Sequence, residues 1–239
     1  MKLLTVENAK TVKGENLGYL TGILYLAPAN ESGVMNTCPM ANECQGPCLF
    51  RAGRGRFQSV YDARIRKTRE LHADRQSFIG QLKEDIRELV AKAKRDGLIP
   101  AVRINGTSDL FWLVKPLLEE FSSVQFYDYT KLAKPWIRTR KNYHLTFSYQ
   151  PSNHGSAIDA LNHGINLAVV FDVRRGSALP RTWNGYLVLD GDTHDLRFLD
   201  GYRGVVIGLR AKGPAKQDIG GFVQIANFVQ IQSIGGIYA

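Results

Sequence analysis

Apolar positions come in short runs along most of the chain, and their spacing switches between two periods. Leu17 to Ala27 is apolar on both faces and rich in aromatic and branched residues, which predicts a fully buried strand ended by Pro28. After Gly53 and Gly55, Val60, Ala63 and Ile65 punctuate a basic stretch that reads as a helix. Phe78, Leu82, Ile86, Leu89 and Val90 then recur at helical spacing behind Asp74, a good N-cap, and Gly97 with Pro100 ends that second helix. From there the pattern repeats. Ala101 to Ile104 reads as a strand, Leu110 to Phe121 as a helix capped by Ser108 or Asp109 with a kink or restart at Pro116, and Val124 to Tyr129 as a strand. Tyr143 to Ser148 and Leu167 to Val173 are further buried strands, separated by one or two helical turns over Ser156 to His163. Tyr186 to Phe198 breaks the rhythm and reads as an inserted hairpin; Gly204 to Leu209 is a sixth strand, and the glycine-rich tail holds a terminal strand or loop. Residues 1–16 read as a polar arm and 214–239 as a C-terminal extension of a single α/β domain spanning 1–239.

Strands that alternate with helices predict βαβ units and a parallel sheet with right-handed crossovers. An open doubly wound sheet and an incomplete (β/α) barrel both fit, and in both the polar chemistry sits at the C-terminal ends of the strands. Asn105-Gly-Thr-Ser-Asp109, Thr130-Lys131, Ser148-Tyr-Gln150, Asp172 and Arg210-Ala-Lys212 all follow strand ends, so one pocket can collect them.

All the cysteines lie just after the first strand, in Cys38-Pro-Met-Ala-Asn-Glu-Cys44-Gln-Gly-Pro-Cys48, where Pro39, Gly46 and Pro47 keep the chain irregular. An odd number at short spacings argues against a disulfide framework and for a metal or redox centre over chance clustering. Three thiolates suit a [4Fe–4S] cluster with one iron left open. Zinc in a Cys3His site is the competing metal. His72, His144, His154, His163 and His194 are its candidate fourth ligands, and none stands at short spacing from a cysteine.

Composition changes the picture less. Apolar residues at 44% and charged residues at 22% suit an ordinary globular protein, and no apolar run approaches the roughly 20 residues that span a bilayer. Without a leader-like apolar segment at the N-terminus, the cytoplasm is the expected location, with no membrane partner. A net charge of +9 favours anionic partners, nucleic acid or a phosphorylated substrate. Arg51, Arg54, Arg56, Arg64, Arg66, Lys67, Arg69 and Arg75 are candidate phosphate contacts or a solvated helix face, and Arg138, Arg140 and Lys141 form a second basic knot. Asp190-Gly-Asp192 with Asp195 reads as turn chemistry rather than a cation site. Tyr127, Tyr129 and Tyr143 read as core rather than base-stacking residues. No phosphate-binding loop or nucleophile elbow is present.

Lys10-Thr-Val-Lys13, Gly18-Tyr-Leu-Thr-Gly22, the cysteine loop, Arg103-Ile-Asn-Gly-Thr-Ser-Asp109, Gln125-Phe-Tyr-Asp-Tyr-Thr-Lys131 and Leu209-Arg-Ala-Lys-Gly213 together resemble the phage gene product 88 domain family. That family in turn looks like a divergent branch of the radical S-adenosylmethionine (SAM) superfamily, although the usual C-x3-C-x2-C spacing is wider here. The resemblance implies a partial (β/α)6 barrel, a [4Fe–4S] cluster on Cys38, Cys44 and Cys48, SAM at the open iron, and an electron donor. It implies that Asn105, Gly106, Thr107, Ser108 and Asp109 line the SAM site, with Thr130, Lys131 and Ser148 at the same mouth. Arg210 and Lys212 would meet a carboxylate or phosphate. The alternative is a phage nucleic-acid-binding protein with a structural metal loop, its phosphates held by Arg51, Arg54, Arg56, Arg64, Arg66 and Arg69.

Overall fold

The computed structural model describes residues 2–226, in which β1 (Leu4–Thr5) and α1 (Ala9–Glu15) lead into β2 (Tyr19–Leu24). A long excursion containing short 3-10 turns then reaches α2 (Gln58–Ala73) and α3 (Arg75–Arg95), followed by β3 (Ile99–Arg103), α4 (Phe111–Glu120), β4 (Gln125–Thr130), β5 (Tyr143–Ser148), α5 (His154–Asn162) and β6 (Leu167–Phe171). β7 (Thr182–Trp183), β8 (Tyr186–Asp190), β9 (Val206–Arg210) and β10 (Val223–Gln224) complete the described elements. The C-terminal extension is described as far as residue 226; the rest lies outside the described residues.

Local chemistry sets most of these boundaries. Asp74 caps α3 as expected, its carboxylate accepting the Ser77 N–H at 2.9 Å, and Gly97 leaves the helix with a φ of 67°. α4 runs through Pro116 without a break. Its N-terminus departs from expectation: neither Ser108 nor Asp109 caps it, and Asn105 Oδ1 accepts the Leu110 N–H at 2.9 Å. The N-terminal arm also departs. Leu3 and Leu4 are buried, β1 pairs antiparallel with β2, and the Asp85 carboxylate on α3 accepts the N–H groups of Leu3 and Leu4. Two adjacent leucines are too short a run to show a period, yet enough to add an edge strand.

The ten strands form one open sheet in the order β1-β2-β3-β4-β5-β6-β9-β8-β7, with β10 added beside β6. From β2 through β9 the neighbours are parallel and follow chain order, with no reversal of the kind that defines a doubly wound sheet. A hairpin is present, but it is β7 with β8 over residues 182–190 rather than Tyr186 to Phe198, of which only the start is a strand. β8 also pairs in parallel with β9, so the hairpin extends the sheet. No helix among the described residues is long and apolar enough to cross a membrane.

The two faces of the sheet differ. On one, Leu20, Leu24, Val102, Ile104, Phe126 and Leu145 pack against α3 and α4. Phe147, Val169 and Phe171 continue that layer against Ala157, Ala160 and Leu161 of α5. On the other face the alternating residues are Thr21, Arg103, Tyr127, Tyr129, His144 and Thr146. Its cover is α1, whose Gly14 lies against Thr21, together with the segment 194–200, through Leu196 and Phe198.

Candidate metal centre at the strand ends

The cysteine loop is tied to the C-terminal ends of three strands. Beyond β2 the Thr37 hydroxyl donates to the Ala27 carbonyl at 2.6 Å, and the Thr37 carbonyl accepts the Asp109 N–H at 2.8 Å. Cys38 Sγ donates to the Thr107 carbonyl, just past β3, at 3.5 Å. Across the mouth, past β5, Gln150 Nε2 donates to the Met40 carbonyl at 2.9 Å, and the Ser152 hydroxyl donates to Glu43 at 2.7 Å. Asn42 adds its N–H to Gln150 Oε1 at 3.4 Å and its side-chain amide to Ser152 at 3.1 Å, and local turns such as Ala41 N–H to Cys38 O and Gln45 N–H to Asn42 O shape the rest.

All three thiols are half-buried, and burial pushes each of them up, Cys38 to about 11. A charge on Cys48 would raise Cys38 further, and one on Cys44 would raise Cys48. Two cations face them. Lys131 is half-buried, and burial pulls its ammonium down against the opposing influence of Cys44, Asp109, Cys38 and Cys48. Its Nζ donates to the Ser148 hydroxyl at 2.6 Å and the Ser148 carbonyl at 3.2 Å. Arg64 reaches in from α2, its guanidinium 5.0 Å from the Tyr25 ring centroid and 5.1 Å from that of Phe50. Arg64 Nε and Nη1 are buried without a hydrogen-bond partner, and burial lowers its pKa against the pull of Tyr25 and Cys48.

The segment 105–109 sits at this mouth, but its polar atoms hold the scaffold. Asn105 donates its backbone N–H (2.7 Å) and side-chain amide (3.1 Å) to Asp128, and its Oδ1 accepts from Ser108 at 2.9 Å. Thr107 donates to the Leu26 carbonyl. Asp109 accepts from the Thr130 hydroxyl at 2.9 Å and the Lys131 N–H at 2.7 Å, which fixes the start of the Lys131 side chain. Gly106 is required by close approach: a Cβ there would lie 2.7 Å from the Leu24 carbonyl oxygen and 2.7 Å from Tyr25 Cδ1. Gly106→Ala is therefore expected to destabilise the fold by about 1–3 kcal/mol in denaturant titration, the usual cost of overpacking against backbone.

Asp128, on the same network, also accepts from the Tyr143 hydroxyl at 3.1 Å. Burial raises its carboxyl to about 7, against the lowering influence of Asn105 and Arg103. The folded state then holds this proton more tightly than the unfolded chain, so its contribution to stability is present at low pH and is lost as pH rises from about 4 to about 7. Asp128→Asn lacks this component. The stability of the native chain relative to the variant is expected to fall over that range, as read by urea unfolding at several pH values.

Arg210 and Lys212 do not reach the mouth as free cations. Arg210 pairs with Asp190 at 2.9 Å and Asp192 at 3.0 Å, and Lys212 Nζ lies 2.5 Å from Asp192. The Asp190–Asp192 turn thus carries ion pairs that consume the cations expected to meet a ligand. The arginines after the cysteines do not form one face either. Arg51 pairs with Glu31, Arg69 Nε donates to the Ser32 carbonyl, Arg64 turns inward, and buried Lys67 donates to the Leu3 carbonyl, while Arg54, Arg56 and Arg66 are exposed.

Among the described residues no group of three or more His, Cys, Asp or Glu side chains is arranged to hold a metal ion. The expected convergence of three sulfurs is therefore met in part: they share one mouth and one field, without metal-ligand geometry. As neutral thiols they find partners in the protein, Cys38 with the Thr107 carbonyl and Cys48 with the Phe50 N–H. Arg64 and Asp128 are the residues of this region that sequence reasoning left without their roles. Arg64 was one of a run of arginines whose inward face only the packing of α2 reveals, whereas Asp128 was legible as a lone carboxylate inside a buried strand.

No curated protein and no solved structure matches the chain. The family model described as gene product 88 matches residues 2–225, nearly the whole length, and on that match the chain belongs to the gene product 88 family.

Proposed function

We propose that the protein binds a [4Fe–4S] cluster through Cys38, Cys44 and Cys48 and holds a small molecule such as SAM at the remaining iron. The observation that carries this reading is the pair of half-buried cations beside the thiols. Lys131 donates only to neutral groups of Ser148 and Tyr149, and Arg64 has two buried N–H groups with no acceptor. An unpaired buried charge is costly. Thiolates ligating a metal–sulfur group would supply the missing negative charge and also bring the thiols down from their raised pKa values. From Cys44 to Cys48 the hydrogen bonds of the loop are local, and its ties across the mouth run through Met40, Asn42 and Glu43.

The strand order supports the same reading. Parallel strands β2, β3, β4, β5, β6 and β9 follow one another in chain order within an open sheet, and a partial (β/α)6 barrel would need the same order, with its functional mouth at the C-terminal strand ends. When bound, a cluster with one open iron supplies an electron and a coordination position. Lys131 then screens the sulfurs from one side and Arg64 from the other, while Asp109 and Ser148 hold Lys131 in place. Iron rather than zinc is favoured because no histidine joins the thiols as a fourth ligand among the described residues. Anaerobic purification is expected to give a brown protein absorbing near roughly 400 nm with about four irons per chain. A colourless protein with one zinc, or no metal after reconstitution with iron and sulfide, would overturn the assignment.

A further inference from the structure

The face of the sheet opposite α3, α4 and α5 carries an unusual set of polar groups. Register stacks them in rows: Tyr129 lies opposite Thr146, Tyr127 opposite His144, and Ile23 opposite Arg103. Apart from those of Arg64, most buried polar atoms without a partner among the described residues lie here. They are Thr21 Oγ1, Arg103 Nε, Tyr127 Oη, His144 Nε2, Thr146 Oγ1 and, from the covering segment, Arg197 Nε and Nη1. Thr21, Tyr127, Thr146 and Arg197 are each at most 1% exposed, and Arg103 is 6% exposed. A protein interior ordinarily leaves few such atoms, and each costs about 1–3 kcal/mol when nothing satisfies it.

We infer that this face is a binding chamber for a small acceptor-rich anion, a carboxylate or a phosphate, held by Arg103, Arg197 and His144 with the hydroxyls of Tyr127 and Thr146. The inventory sets the ligand's chemistry. The three guanidinium N–H groups can only donate, while the hydroxyls and the imidazole nitrogen adapt to either role. Asp200 Oδ2 is the one unpartnered atom that only accepts when ionised. Each guanidinium has one carboxylate beside it, Asp195 on Arg103 at 2.8 Å and Asp200 3.6 Å from Arg197, yet Arg103 Nε and Arg197 Nε and Nη1 are left without an acceptor. His144 faces the chamber as a neutral ring, since burial and then Arg197 and Arg203 push it down to about 4. Leu196 and Phe198, packed on Ala101, Tyr19 and Tyr127, close one part of the face. Lys131 and Ser148 continue the β4–β5 rows toward the thiol loop.

The chamber is independent of the metal assignment, and its test needs no metal. Orthophosphate and succinate are titrated separately into the intact metal-free protein by calorimetry at fixed ionic strength, with sodium chloride as control. Binding of one of them, weakened about tenfold by Tyr127→Phe and by Thr146→Val, is expected. The same variants should keep or raise the melting temperature without anion, since each removes an unsatisfied hydroxyl. Binding of neither anion would overturn the proposal. So would variants that melt lower and bind unchanged, because the hydroxyls would then serve internal water.

Discussion

Cys38→Ala is expected to abolish the cluster, taking iron from about four per chain to near zero after anaerobic reconstitution, while the protein stays folded. Cys38 is the thiol most firmly placed. Its carbonyl starts the first turn of the loop, its N–H is held by Asn36, and its sulfur rests on the Thr107 carbonyl at the end of β3. Removing one sulfur leaves two ligands for a cluster that needs at least three protein donors to keep one iron open. The fold is insulated, because the buried layers under α3, α4 and α5 contain no cysteine. Circular dichroism separates loss of metal from loss of structure. A variant that kept full iron would show that Cys38 is a small buried side chain and nothing more.

Lys131→Met is expected to act on the same centre with the opposite sign on stability. The ammonium is buried and its pKa is already pulled down by that burial, so replacing it with an apolar chain of similar length should leave the metal-free protein as stable as before or more so. Cluster retention should nevertheless fall severalfold, since the cation facing the sulfurs is gone. Lys131 also lowers the Cys44 thiol, and without it alkylation of Cys44 at neutral pH is expected to slow, because less of the thiol is ionised. A structural lysine would give a different result, with lower stability and unchanged thiol reactivity.

Much of the scaffold was legible because its strands are short, apolar on the helix side and bounded by turn residues. Tyr143–Ser148 was read to the residue, whereas the hairpin expected over Tyr186 to Phe198 begins earlier, at Thr182, because a two-residue strand shows no period. What escaped was tertiary. Leu3 and Leu4 carry no period of their own, and only pairing with β2 makes them a strand. The segment 105–109 was placed correctly at a strand end, yet its side chains turned out to bond to Asp128, Thr130 and each other. A sequence position says where a polar group arrives, and not which neighbour reaches it first. Arg210 and Lys212 show the same limit, since their partners Asp190 and Asp192 lie about 20 residues earlier and meet them only because β8 pairs with β9. The face opposite α3, α4 and α5 was invisible for a related reason. Tyr127, Tyr129, His144 and Thr146 read as ordinary alternation until the register put them side by side.

The most direct measurement is the iron and acid-labile sulfide content of the anaerobically reconstituted chain, taken together with its visible spectrum. Three sulfur donors sharing a cluster should yield about four of each per chain and a broad band near roughly 400 nm that bleaches on reduction. Stoichiometric zinc, or a colourless chain free of iron and sulfide with all three thiols still open to alkylation, would contradict it.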